Sequence, residues 1–257
     1  MPAAQSVESS VQLDPTWEIG GNPHGGYLLR HLAASALDEE HPDPLAVSAH
    51  FLSPPKSGPV VVQATRLRTG RRVATTAAQL SSTTGVHVAA LVTASRVGDS
   101  DEPARFSRPP LEGLPAPEDC PRAPSEAPTN DFRVGHLDHV DVRWDPACLG
   151  WVMGKPSGQA EFRGWIRRDD QSDADLLDLL VFADSMAPTT YDVGIAGWAP
   201  TLELSVLLRA RPAPGWLQIR QRTTLIAGGW LDEDCDIWDS TGRLVAQARQ
   251  LAGYREA

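Results

Sequence analysis

Lysine is almost missing from this chain of 257 residues: Lys56 and Lys155 are the only two, and arginine supplies the other side-chain positive charges. Acids outnumber bases, 33 against 23, for a formal charge of -10. Clustered positive charge of the kind that neutralises a phosphate backbone is lacking, which excludes general nucleic-acid binding. Cysteine is scarce too. Cys120, Cys148 and Cys235 are odd in number, widely spaced and free of any C-x-x-C pair, so neither a disulfide framework nor a zinc site is expected and a reducing compartment fits. No window approaches the roughly 18 apolar residues of a membrane span. Met1 to Asp14 has no basic segment followed by an apolar one, so a cytoplasmic location is the expectation. A Gly-rich phosphate loop, a G-x-S-x-G elbow and H-E-x-x-H are all missing, which disfavours a serine-hydrolase mechanism.

What is there suffices for a real core. With 41% hydrophobic residues, the length suits one large domain or two small ones. Gly20-Gly21-Asn22-Pro23-His24-Gly25-Gly26 is a turn-rich run. After it, Leu28, Leu29, Leu32, Ala33, Ala36 and Leu37 fall at helical spacing, so a helix starts near Gly25 or Gly26 and stops at His41-Pro42-Asp43-Pro44. From Leu45 the period becomes two, and strands are expected over 45–51, 59–69, 72–82 and 86–96. The stretch 98–129 turns to Pro, Glu, Ser and Arg and reads as a linker. Beyond it come strands at 132–143 and 160–167, a second helix over 173–187 carrying Leu176, Leu177, Leu180, Val181 and Ala183, and four more strands. The organisation expected is therefore 10–97, a Pro-rich linker 98–129, and 130–257.

The order of elements repeats. A shift of 157 lays Gly58 on Gly215, Thr84-Gly85 on Thr241-Gly242 and Val88-Ala89 on Val245-Ala246, with Val60 on Leu217, Val62 on Ile219 and Leu80 on Ile237. Repeats of this kind constrain the fold more than any one motif. A helix followed by curved antiparallel strands, present twice, predicts an α+β double hotdog: two curved antiparallel sheets, each wrapped around a long helix, joined edge to edge so that neither leaves its central edge open.

Several segments together resemble the acyl-CoA thioesterases of the thioesterase II type, over most of the chain. In the first half these are Pro23-His24-Gly25-Gly26-Tyr27, His50-Phe51-Leu52-Ser53-Pro54-Pro55 and Arg71-Arg72-Val73-Ala74. In the second they are Phe182-Ala183-Asp184-Ser185, Thr201-Leu202-Glu203-Leu204-Ser205 and Leu244-Val245-Ala246 through Gln250. The resemblance implies hydrolysis of an acyl-CoA by activated water, with Asp184, Thr201 and Gln250 as the catalytic set. No metal or other cofactor is implied, CoA being part of the substrate, and association into a homo-oligomer is. Glu203 and Leu204 stand where the family commonly has Asp and His, and Arg249-Gln250-Leu251 replaces its Gln-Glu-Gly run.

Each candidate also has a plainer reading. Asp184 could cap a kink before Met186-Ala187-Pro188. Gln250 could simply end a strand, and Thr201 could be an ordinary β-branched strand residue. Gly25 and Gly26 offer helix-start N–H groups to a developing oxyanion, or only permit close packing. Tyr27 lines the substrate channel or belongs to the core. Arg66, Arg68, Arg71 and Arg72, and Arg209, Arg211, Arg220 and Arg222, are candidates for the CoA phosphates, or solvated strand residues. His136, Asp138, His139 and Asp141 look like metal ligands, but strand alternation would split them between two faces. Two alternatives to hydrolysis stand: a non-catalytic acyl or acyl-CoA binding protein, and a hotdog hydratase or dehydratase, whose Asp-x-Asn-x-x-His signature is not complete here.

Overall fold

The computed structural model describes residues 6–98, 104–126 and 132–254. Parts of the expected linker, 99–103 and 127–129, lie outside the described residues, as do 130–131 at the start of the expected second half. The first half runs β1 (Ser6–Leu13), a two-residue hairpin of β2 (Glu18–Ile19) and β3 (Asn22–Pro23), α1 (Gly25–Ala34), β4 (Asp43–Phe51), β5 (Gly58–Thr69), β6 (Val73–Ser82) and β7 (Gly85–Ser95). The second runs β8 (Val140–Trp144), β9 (Glu161–Arg168), α2 (Leu176–Phe182), β10 (Thr201–Leu208), β11 (Leu217–Ala227), β12 (Trp230–Trp238) and β13 (Leu244–Gly253).

Eleven strands form one antiparallel sheet, in the order β1-β5-β6-β7-β4-β10-β13-β12-β11-β9-β8. The halves meet at β4 and β10. Ser48 and Ser205, which the 157-residue shift superposes, are direct register partners there, and their hydroxyls bond at 2.9 Å. A repeat that pairs with its own equivalent is the single-chain counterpart of a self-complementary two-fold interface. The apolar residues of alternating strand positions, Val47, Ala49, Val62, Leu80 and Val92 in the first half and Leu204, Val206, Ile219, Ile237 and Ala246 in the second, are all buried. They form one core with the apolar faces of the two helices.

The helices are shorter than expected. In place of a long helix in each half there are ten residues in α1 and seven in α2. Asp175 starts α2 three residues inside the anticipated span: its side chain accepts the Asp178 N–H, and the Asp178 carboxylate accepts the Asp175 N–H in return, the reciprocal capping that fixes a helix start. At the other end the backbone tightens. Asp184 and Ser185 donate their N–H groups to Val181 and Phe182, three residues back, and the Ser185 hydroxyl donates to the Val181 carbonyl. The strand expected over 132–143 is also corrected. Gly135–Asp138 is a 3-10 turn and only Val140–Trp144 joins the sheet, so the alternation argument fails for His136 and Asp138.

Gly26 sets the approach of the two helices. A Cβ there would stand 2.6 Å from the Leu180 carbonyl oxygen and 2.8 Å from the Val181 Cα, so only glycine lets α1 lie directly on α2. That contact carries the end of α2 to the start of α1, where the site is built.

Candidate active site

Asp184 lies in the turn just after α2, beside the first turn of α1. Its Oδ2 accepts the Gly26 N–H at 2.8 Å and is 3.5 Å from His24 Nε2. The side chain keeps 13% of its surface, and burial pushes its carboxyl above the ordinary value against the opposing pull of His24 and the Gly26 N–H. Oδ1 takes no hydrogen bond among the described residues, so one oxygen is anchored and the other is uncommitted.

Two histidines hold the main chain of this turn. The Nδ1 atom of His24 accepts the Tyr27 N–H at 3.2 Å, capping α1. The proton is therefore on Nε2, which donates to the Asp184 carbonyl at 2.8 Å. His136, from the 3-10 turn before β8, stacks on His24 at 4.3 Å and bonds the next carbonyl, that of Ser185, through Nε2 at 3.2 Å. Burial and the neighbouring His24 drive its pKa well below the ordinary histidine value, so it is neutral.

The second polar group comes from the sheet. The Thr201 hydroxyl donates to Gln250 Oε1 at 3.0 Å, and Gln250 Nε2 donates to Glu233 Oε2. Glu233 Oε1 accepts both the Thr189 N–H at 2.7 Å and the Thr189 hydroxyl at 2.9 Å. A register shift in β10 between Thr201 and Glu203 is the kind of irregularity that re-aims a side chain, and Thr201 sits on it. Glu203 faces Ser205, whose hydroxyl donates to it at 2.9 Å, and Leu204 is core.

Both groups border one cavity of about 1440 Å³, which Asp184, Thr201, Gln250, Glu233, His24 and Gly25 all line. It exceeds the roughly 300–1,000 Å³ of ordinary small-molecule sites. The hydrogen bonds of Asp184 run to His24 and Gly26, those of Thr201 and Gln250 to each other and to Glu233; the cavity is what joins the two sets. Its walls are aromatic, with Phe51, Phe132, Trp144, Trp151, Trp198 and Trp230 among them.

The other expected site residues separate. Gly25 borders the cavity, and its N–H takes no partner among the described residues. The Gly26 N–H is already given to Asp184 and is not available to a ligand. Tyr27 turns away into the core, 7% exposed, stacked on Trp17 at 4.8 Å and accepting the Asp14 N–H at its hydroxyl. None of the eight arginines proposed for phosphates lines the cavity; among the described residues the one arginine that does is Arg122, which is paired with Asp169 at 2.6 Å. His24, His136 and Glu233 were missed as site residues. The motif containing His24 was visible, but their partners lie 160, 49 and 44 positions away, beyond any local pattern.

Comparison with known proteins agrees with this architecture. The acyl-CoA thioesterase N-terminal domain matches residues 13–97 and the acyl-CoA thioesterase C-terminal domain matches residues 117–254. An uncharacterised protein of Mycobacterium tuberculosis, Rv0499, is 30% identical over 98% of this chain and 91% of its own length. A crystal structure described as a candidate thioesterase II of Thermobifida fusca has a TM-score of 0.87 at 32% identity, over 97% of this chain and 92% of that one. A hot dog fold protein of Alicyclobacillus acidocaldarius, 20% identical over 100% and 95%, has a TM-score of 0.80 and shares the fold. With both of its domains matched in order, the chain belongs to the acyl-CoA thioesterase family.

Proposed function

We propose that this protein hydrolyses an acyl-CoA to the free acid and CoA by direct attack of water, within a double hotdog whose two halves jointly build the site. Asp184 is the general base. Its anchored carboxylate borders the cavity with one oxygen uncommitted, and a raised pKa makes it a better proton acceptor, a role that general bases typically reward with about 10²–10⁴-fold in rate. Water loses a proton to Asp184 as its oxygen bonds to the thioester carbon; the C–S bond breaks and the departing sulfur takes the proton back. Thr201 and Gln250 orient that water, and the Gly25 N–H at the start of α1 stabilises charge growing on the carbonyl oxygen.

The observation that carries this reading is the cavity itself, in which a desolvated carboxylate and a hydroxyl–amide pair share one large apolar chamber. Its volume and aromatic walls suit a long or bulky acyl group. Thiol release from acyl-CoAs of graded chain length, for the wild type, Asp184→Asn and Gln250→Ala, tests the reading. No release above background from any acyl-CoA refutes hydrolysis, and tight binding without turnover would make the protein an acyl-CoA binder. Wild-type rates in Asp184→Asn would refute the site.

A further inference from the structure

We infer that Glu233 is a positioning residue that dictates which way the Gln250 amide faces, an inference that rests on the hydrolytic reading above. Thr223, Glu233, Gln250, Leu204 and Ala49 are successive register partners across β11, β12, β13, β10 and β4. Leu204 and Ala49 are fully buried members of that row, and Glu233 is 3% exposed. A buried carboxylate costs several kcal/mol unless its oxygens are satisfied, and a Leu or Met would fill the same space at no such cost. Here both oxygens of the carboxylate have donors. Thr189 supplies two to Oε1 and Gln250 one to Oε2, while Thr189 also bonds Thr223 at 2.6 Å, tying the group to β11.

An ionised carboxylate only accepts, so the amide nitrogen of Gln250 must face Glu233 and its oxygen must face Thr201. With the Thr201 proton committed to that oxygen, the lone pairs of the Thr201 hydroxyl and the second Gln250 N–H remain for a water. A neutral side chain at 233 would accept either orientation of the amide, and the water would lose its fixed partners. Burial pushes the Glu233 carboxyl above its ordinary value, offset only in part by the Thr189, Gln221 and Gln250 donors.

Glu233→Gln keeps the size and removes the directionality. In the full-length protein kcat for acyl-CoA hydrolysis should fall about 10- to 100-fold, with KM within about twofold. In a Gln250→Ala background, where no amide is left to orient, Glu233→Gln should lower kcat by less than about twofold further, which a merely structural role would not allow. Independently of turnover, the side-chain amide signal of Gln250 in the 15N-labelled wild type should show one strongly hydrogen-bonded proton that exchanges slowly. An unchanged kcat in Glu233→Gln overturns the inference and leaves hydrolysis standing. So does a Gln250 amide with both protons exchanging freely. A wild type inactive on every thioester, with the protected amide proton present, overturns the hydrolytic reading instead.

Discussion

Gly25 and Gly26 are adjacent, but alanine at the two positions should fail in different ways. Neither has a positive φ, so the constraint is space. A methyl group on Gly26 would meet main-chain atoms of α2 at 2.6 and 2.8 Å, where ordinary carbon contacts begin near about 3.5 Å. Backbone cannot rotate aside, so the helices must part. Overpacking of this kind costs about 1–3 kcal/mol, and loss of the bond from the Gly26 N–H to Asp184 adds about 1.5–3 kcal/mol. Alanine returns about 1 kcal/mol of helix propensity, for a net loss of about 1.5–5 kcal/mol. At about 2–4 °C per kcal/mol for a chain of this size, the melting temperature should drop by roughly 3–20 °C. On Gly25 the methyl meets Asp184 Oδ2 at 2.7 Å and the Phe51 Cζ at 3.1 Å, the ends of side chains that can turn. Gly25→Ala should cost about 1–3 kcal/mol in stability, less than Gly26→Ala because no main-chain atom has to move, yet displace the carboxylate and lower kcat about 100-fold. Thermal unfolding and thiol release on the two variants together decide it. A Gly26→Ala protein with the wild-type melting temperature, or a Gly25→Ala protein that is the less stable of the two, refutes the packing argument.

Other consequences are as direct. Because the Asp184 carboxyl is raised above 3.8 by burial, kcat/KM should climb with pH through a pKa above that value. The same shift means that the folded state holds a proton the unfolded state has lost, so wild-type stability falls as pH rises from the unfolded value through the folded one. Asp184→Asn should therefore melt higher than wild type at pH 8 and not at pH 3, by about 1.4 kcal/mol for each unit of the shift, as read by calorimetry at both values. Asp175→Ala removes the cap of α2 and should cost about 1 kcal/mol in urea unfolding. Asp178→Ala should cost more, about 2 kcal/mol, because this buried carboxylate also pairs Arg30 at 2.7 Å and Arg168 at 3.3 Å; Arg30 loses that partner, while Arg168 keeps Asp170 at 2.9 Å. Burial raises the thiol pKa of Cys120 and Cys148 and lifts that of Cys235 well above its ordinary value. The native protein should thus release less than one equivalent with a disulfide reagent at pH 8, and the unfolded protein three.

Where a segment buries one face, its period was readable: β5, β6 and β7 fall within a residue of the expected strands, and β10 begins at Thr201 as expected. β1 was not. Its sequence, SVESSVQL, places only Leu13 in the core, and the rest is held at the sheet edge by backbone pairing with β5, which leaves no mark in hydropathy. The opposite failure affects α2. LLDLLVF is apolar on most sides, so periodicity cannot mark its ends; the ends are set by Asp175 and by the tight turn at Asp184 and Ser185. At the site, Asp184, Thr201 and Gln250 came from the resemblance, and the structure places all three on one cavity. Glu233 could not be found in this way, since a lone Glu among Asp232, Asp234 and Asp236 reads as a solvated strand face until its partner Gln250 is laid across from it.

The β4–β10 junction has a consequence for how the chain is made. Ser48 and Ser205 are 157 positions apart, and at synthesis rates of about 5–20 residues per second the second follows the first by roughly 8–30 s. During that interval β4 is paired on one side with β7 and has nothing on the other, an open row of backbone donors and acceptors of the kind that recruits foreign strands. The strand that closes this row, β10, also begins with Thr201, and the helix that must dock on Gly26 precedes it by fewer than twenty residues. Protection of the nascent first half against aggregation and delivery of Asp184 and Thr201 to the cavity therefore arrive with the same stretch of polypeptide, ahead of Glu233 and Gln250.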